Sequence, residues 1–234
     1  MSYDRDSVPH FVIKEASCGS VDIVDHGDYF VLYNNGDRWM VYNKDKDFEV
    51  KDMYSSYDLA YGDVIISGLG FGILALWLCS KPEVSSVTVI EVSEDVIKIF
   101  KDNNLIPEKL TIINDNMITY ETDKEYDVLL LDHYERQTFD WRLKDINRIC
   151  ARINHKSFWA WSLEAIYLFK MYPGKIKNDS LNIYKTLSEF EGDLSILWDD
   201  FIDKFLPQEV GLKTLDRHKL KDYMYNYFDK DNMT

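Results

Sequence analysis

From residue 63 onward, short apolar runs of strand length alternate with longer segments of helical character. DVIIS (63–67), VTVIEV (87–92), LTIIN (110–114), YDVLLLD (126–132) and SFWAW (157–161) are the candidate strands. ILALWLCS, DVIKIFKDN and a segment near 139–153 lie between them as candidate helices. Runs such as VIIS and VLLLD show no in–out alternation, which suits parallel strands covered on both faces by helices. The pattern predicts an α/β fold: a doubly wound, mostly parallel Rossmann-like sheet over residues 58–165.

The chain before this core reads differently. VDIVD (21–25) alternates, and DYFVLYNNGDRWMVYN places two β-rich runs around Asn35-Gly36, the dipeptide favoured in a type I′ turn. The first sixty residues read as β structure, and residues 1–57 form a small N-terminal β-hairpin region. Tyr29, Val31 and Tyr33 are expected on one face of the first hairpin strand, with Trp39 and Val41 alternating in the second. Residues 166–234 are expected to form a helical C-terminal extension. In it LNIYKTLSEFEG and LSILWDDFIDKFL are separated by Gly192-Asp193, Pro207 ends the second, and an aromatic tail follows.

Composition narrows the classes. A chain of 234 residues, 46% hydrophobic and 29% charged, has material for one main core and lacks the bias of a disordered or fibrous protein. Its 27 Lys and Arg against 41 Asp and Glu give a net charge of −14, which argues against nucleic acid as a partner. Cys18, Cys79 and Cys150 are widely spaced, without the pattern of a disulfide framework or a zinc site, so no metal is expected. No apolar run reaches the roughly 18 residues of a membrane span, and MSYDRDSVPH is not a leader pattern. A soluble, cytoplasmic protein is the expectation.

Candidate chemistry concentrates where the strands of the core end. Ser67-Gly68-Leu69-Gly70-Phe71-Gly72 lies between a buried strand and an apolar helix, so its glycines allow close backbone approach to a ligand. The spacing is GxGxG; the dinucleotide fingerprint GxGxxG would need glycine where Ile73 stands, which disfavours a nicotinamide cofactor. Glu91 ends the second strand, 23 residues after Gly68, where a carboxylate can accept from the two hydroxyls of a ribose. Asp115 follows the third strand and Asp132 ends the fourth. Three successive strands thus deliver acids to one rim.

These residues resemble the class I S-adenosylmethionine-dependent transferases, whose pattern is a GxGxG loop after the first strand, an acid after the second and Asp after the third. The resemblance covers about residues 58–162 and implies S-adenosylmethionine as cofactor. It implies that Gly68, Leu69, Gly70 and Gly72 face the methionine part, that Glu91 with Val92 holds the ribose, and that Asp115 with Asn116 or Met117 meets the adenine. Ser67 stands where that family often has an acid. The N-terminal β region ahead of the core resembles the spermidine synthase family of aminopropyltransferases. That family's fourth-strand motif is DSxDP, against Asp132-His133-Tyr134-Glu135 here.

The resemblance implies a transferase acting on a small, cationic amine, by methyl or aminopropyl transfer. Asp132 is then expected to orient the amine and take its proton, with Glu135 or His133 assisting. Trp39, Trp159 and Trp161 are candidates for walling a cavity that takes a cationic group. The basic run Arg136, Arg142, Lys144, Arg148, Arg152 and Lys156 is expected to be a solvated face. Three alternatives stay open: a silent S-adenosylmethionine binder or assembly protein on this fold, cleavage of the cofactor itself, and a nicotinamide-dependent oxidoreductase. A homodimer is compatible with the fold, with the N-terminal hairpin or the aromatic tail as candidate surfaces.

Overall fold

Asn35 and Gly36 hold φ of 51° and 79°, the pair of positive values that a type I′ turn requires. They belong to a computed structural model that describes residues 12–44, 48–133 and 139–161. The turn joins β3 (Tyr29–Asn34) to β4 (Asp37–Asn43), and β1 (Ala16–Cys18) and β2 (Val21–Asp25) complete an antiparallel sheet in the order β1-β2-β3-β4. The hairpin is where the sequence puts it, but its faces differ from expectation. Val31 and its neighbour Leu32 are both buried, while Tyr29 is exposed. The register slips beside them: Leu32 pairs with Met40 and Tyr33 with Arg38, leaving Trp39 as the extra residue of a bulge. The bulge breaks the alternation of Trp39 with Val41 and leaves Trp39 exposed.

Residues 48–59, read as part of the β region, are helical. Helix α1 (Phe48–Leu59) buries Val50, Met53 and Ser56, and Ala60 follows on the same spacing. That recurrence at three to four residues is the helical period, and it overrides the β-rich character of the preceding hairpin. α1 packs against the next helix through Tyr57, whose ring stacks on the buried Trp77 at 4.1 Å between centroids.

The core follows. β5 (Gly62–Ser67), α2 (Ile73–Ser80), β6 (Val84–Glu91), α3 (Glu94–Asn103) and β7 (Leu110–Asn114) lead outward, and β8 (Tyr126–Leu131), α4 (Phe139–Arg152) and β9 (His155–Ala160) come next. The five strands form one sheet in the order β7-β6-β5-β8-β9, every pairing parallel. The strand order reverses after β7, so β8 returns to the far side of β5. Right-handed crossovers then place α2 and α3 on one face and α4 on the other, the doubly wound arrangement expected from the sequence. The uninterrupted apolar runs are the central strands: Val64, Ile65 and Ile66 of β5 and Val128 to Leu131 of β8 are all at most 1% exposed. The passage from β7 to β8 carries only a turn at 117–119, whose Met117 is buried.

The N-terminal sheet is fastened to this core at the start of α3. Ser93 caps that helix by accepting from the Val96 N–H at 3.2 Å. Asp95, in its first turn, accepts from the backbone N–H of Ser20 at 3.0 Å and from the Ser20 hydroxyl and Cys18 thiol. The Ser20 backbone donor holds the Asp95 carboxyl below its usual range. Gly19 (φ 55°) brings the β1–β2 turn so close that a side chain there would collide with the Asp95 carboxylate. The expected helical extension at 166–234 lies outside the described residues.

Candidate rim at the strand ends

The strand order reverses between β5 and β8, and open parallel sheets place their ligands beyond the C-terminal strand ends at such a point. Gly68, Gly70 and Gly72 follow β5 there, all with positive φ of 94°, 53° and 79°. Each is held bare by a different element. A β-carbon on Gly68 would stand 2.7 Å from the Asp132 carbonyl oxygen and 3.2 Å from the His133 α-carbon. One on Gly70 would meet the Met40 sulfur at 2.8 Å, and one on Gly72 would enter the ring of Phe100. The loop is therefore clamped by the exit of β8, by β4 of the N-terminal sheet and by α3.

Glu91, the last residue of β6, is 5% exposed. Its Oε2 accepts from the Leu69 N–H and its Oε1 from the Ser93 N–H, both at 2.8 Å. Burial pushes its carboxyl above the usual range, and these backbone donors pull the other way. Glu91 thus ties the glycine loop to the start of α3. Each oxygen has a second acceptor position beyond the bond it already makes. The next strand end is laced to it: the Asp115 N–H donates to the Glu91 carbonyl at 3.1 Å, and the Asn114 side-chain amide donates to the carbonyls of Glu91 and Val92 at 2.9 and 3.0 Å. Val92 is 61% exposed. Asp115 and Asn116 are also exposed, Asp115 accepting from the Asn116 N–H at 2.6 Å and Asn116 from the Ile118 N–H at 2.9 Å.

On the β8 side the Asp132 N–H donates to the Ser67 carbonyl at 3.1 Å. The Ser67 hydroxyl, fully buried, shares a hydrogen bond with Nδ1 of His133. Asp132 and His133 are half-buried. The structure therefore brings the glycine loop, Glu91, Asp115, Asp132 and His133 to one rim. Tyr134, Glu135 and Arg136 lie outside the described residues.

Two of the three expected tryptophans separate from this rim: Trp159 packs in the hydrophobic core and Trp39 is exposed on the other sheet, whereas Trp161 follows β9 at the same sheet edge, its N–H donating to the Leu131 carbonyl at 2.9 Å and its side chain packed against the core. Of the basic run, Arg148 is exposed beside Asp145, Lys156 is exposed and pairs with Asp127 at 2.6 Å, and the half-buried Arg152 donates to the Ile118 carbonyl, while the side chains of Arg142 and Lys144 lie outside the described ones. The three cysteines are free thiols, and burial pushes Cys79 up to about 11 and Cys150 up to about 12, so neither supplies a thiolate at neutral pH. Among the described residues no three His, Cys, Asp or Glu side chains group so as to hold a metal ion, and no helix is long and apolar enough to cross a membrane.

Two contacts were not foreseen. Met40 reaches the glycine loop only through the docking of two sheets, for which a single sequence carries no signal. The Ser67–His133 bond had a partial signal, since Ser67 stands where the resemblance would put an acid.

Two carboxylates at this rim fit S-adenosylmethionine: Glu91 offers a ribose its remaining acceptor positions beside the loop, and Asp115 adds an exposed carboxylate at the next strand end, while the space the three glycines leave is taken by Asp132, Met40 and Phe100. No protein-family model and no curated protein matches the sequence. Solved structures do match in fold. A probable spermidine synthase from Corynebacterium glutamicum is 14% identical over 64% of this chain and 63% of its own, with a TM-score of 0.46. An S-adenosylmethionine-dependent methyltransferase from Clostridium acetobutylicum is 14% identical over 49% of this chain and 47% of its own, at 0.35. CalS10, an amino pentose methyltransferase from Micromonospora echinaspora solved with S-adenosylmethionine bound, is 11% identical over 49% and 50%, at 0.34. The chain spans about half the length of these two methyltransferases. What this chain shares with these three solved structures is a likeness of fold.

Proposed function

We propose that this chain is an S-adenosylmethionine-dependent transferase whose acceptor is a small, cationic amine. The observation that carries the reading is the convergence, at one switch point, of three bare glycines, a buried Glu91 tied to their loop, and the Asp132–His133 pair packed against Gly68. When bound, the cofactor supplies a sulfonium whose adjacent carbons are electrophilic. The chain supplies placement and proton handling. Gly68, Leu69, Gly70 and Gly72 bring backbone against the methionine part. Glu91 accepts from the ribose hydroxyls, with Val92 beside it, and Asp115 with Asn116 takes the adenine edge. Asp132 orients an ammonium by charge, and a carboxylate and an imidazole next to each other suit removal of its proton. A chain of net charge −14 also favours a cationic acceptor over a polyphosphate.

Methyl and aminopropyl transfer differ in the carbon attacked, so their products separate them. Purified protein is incubated with S-adenosylmethionine, and separately with its decarboxylated form, in the presence of mixed amines including putrescine, and products are identified by mass spectrometry. S-adenosylhomocysteine with a methylated amine establishes methyl transfer. Methylthioadenosine with an extended amine establishes aminopropyl transfer. Methylthioadenosine with every amine unchanged establishes cofactor cleavage, and tight binding with no product establishes a silent binder; either overturns the transferase reading. Absence of binding overturns the cofactor assignment as well.

A further inference from the structure

We propose that Met40 is an autoinhibitory plug on the glycine loop: its thioether lies against the Gly70 backbone, where the methionine part of S-adenosylmethionine is to bind, and must swing away before the cofactor enters. The inference deepens the proposed function and rests on it for the identity of the ligand, while the contact itself stands on the structure. The space beside each of the three glycines is filled by a different kind of group. At Gly68 it is backbone, the Asp132 carbonyl and the His133 α-carbon. That strand exit is held by the Asp132 N–H donating to the Ser67 carbonyl at 3.1 Å and the Trp161 N–H donating to the Leu131 carbonyl at 2.9 Å. At Gly72 it is the ring of Phe100, which is 3% exposed within the main core cluster. At Gly70 it is the far end of one flexible side chain: a β-carbon there would stand 2.8 Å from the Met40 sulfur and 3.9 Å from its methyl carbon. Bonded backbone and a core ring have little space to move into, so of the three occupants Met40 is the one that yields.

Its place on the N-terminal sheet suits that movement. Met40 is half-buried and follows Trp39, the exposed extra residue of the bulge in β4, and a bulge re-aims the side chains beside it. Methionine is unbranched, with three rotatable bonds and a soft sulfur, so it fills an irregular space without being locked into it. The group is also chemically apt. Met40 presents the loop with a thioether on a short carbon chain, and the methionine part of the cofactor carries the same chain on a sulfonium. Side chain and cofactor therefore compete for one surface, and the apparent affinity is reduced by the fraction of molecules in which Met40 already stands clear. With that open state at the roughly 10% or less of a minor conformer, the plug weakens binding about tenfold or more.

The test begins with the unmodified full chain, labelled with 13C at the methionine methyl groups. Met40→Leu assigns the Met40 signal, and Met53, buried in α1, is the reference. In the free chain a nuclear Overhauser contact is expected between the Met40 methyl and a Gly70 α-proton, and its absence overturns the plug. At saturating S-adenosylmethionine that contact is expected to vanish and the Met40 methyl to take the position of a solvated methionine, with Met53 unmoved. A contact that persists at saturation overturns the displacement. Calorimetry then compares the parent with Met40→Ala. The variant is expected to bind S-adenosylmethionine about tenfold or more tighter, and adenosine, which has no methionine part, no differently. Equal affinities for S-adenosylmethionine, or adenosine tightening as much as the cofactor, overturn the competition and leave the cofactor reading standing. No binding of S-adenosylmethionine by either protein, with the Met40–Gly70 contact present in the free chain, overturns the cofactor reading and the plug's ligand with it.

Discussion

Replacing Gly72 by alanine isolates how the glycine loop is built. Gly72 has φ of 79°, and a β-carbon there would lie 3.1 Å or less from three atoms of the Phe100 ring. Two costs follow. An L-residue in the left-handed region costs about 1–2 kcal/mol, and pushing a methyl into a packed core costs about 1–3 kcal/mol more. Phe100 is 3% exposed within the main core cluster and has little space to yield. The loss is expected at about 2–5 kcal/mol, a large part of the 5–15 kcal/mol typical of a domain. Gly27 is the internal control: its φ is 86°, yet a β-carbon there meets nothing within 4 Å, so Gly27→Ala pays the backbone cost alone, about 1–2 kcal/mol. Urea denaturation of both variants reads the difference. Combining Gly72→Ala with Phe100→Ala removes the ring, so the pair is expected to be less destabilised than the sum of the singles by about 1–3 kcal/mol. Equal losses for Gly72→Ala and Gly27→Ala would refute the argument that α3 clamps the loop.

Four further outcomes are expected. Glu91→Ala loses a charged hydrogen-bond partner and is expected to weaken S-adenosylmethionine binding by about 1–3 kcal/mol by calorimetry; unchanged affinity would mean that Glu91 does not hold the ribose. Glu91 also sets a pH dependence. Its folded pKa is raised by burial above the ordinary 4.5, so its contribution to stability is full below that ordinary value and is lost as pH rises through the raised one. Cofactor affinity runs the opposite way, weakening as pH falls through the raised pKa, and affinity still constant at pH 4.5 would contradict a carboxylate ligand. Asp95→Asn is expected to speed hydrogen exchange at the Ser20 N–H and around the β1–β2 turn, with the protection of β5 and β8 retained. Asp132→Asn should spare cofactor binding and abolish turnover, and retained turnover would remove Asp132 from the chemistry.

What the sequence made legible was what depends on short-range pattern. The five core strands were readable because both faces of each central strand are covered, so VIIS and VLLLD are unbroken apolar runs. Asn35-Gly36 was readable because few dipeptides adopt two consecutive positive φ values without strain. Helix α1 was obscured by its composition: Tyr54, Ser55, Ser56 and Tyr57 look β-like, and only the spacing of Val50, Met53, Ser56 and Ala60 shows the helical stripe. The bulge at Trp39 depends on register between strands, which no local pattern encodes. The same limit applies at the rim. Gly68, Glu91 and Asp115 could be placed because each ends or follows a strand, whereas Met40 against Gly70 and Ser67 against His133 are contacts between elements.

The two sides of the rim follow the resemblance to different extents, and a physical reason separates them. On the β5–β6–β7 side a glycine loop, a buried carboxylate and a following Asp occupy the expected positions. In the proposed function these features meet invariant parts of one ligand, and the glycines answer as well to Asp132, Met40 and Phe100 packed against them. Little variation is compatible with both demands. On the β8 side Ser67 replaces the acid and His133 follows Asp132 where the aminopropyltransferase motif has serine. In the proposed function this side faces the acceptor, whose shape, charge and proton differ from one transferase to another. On that reading, substitutions in the glycine loop are expected to report chiefly on folding, and those at Ser67, Asp132 and His133 on the reaction. The acceptor should be sought by varying those three residues and following the amine, with the loop left intact.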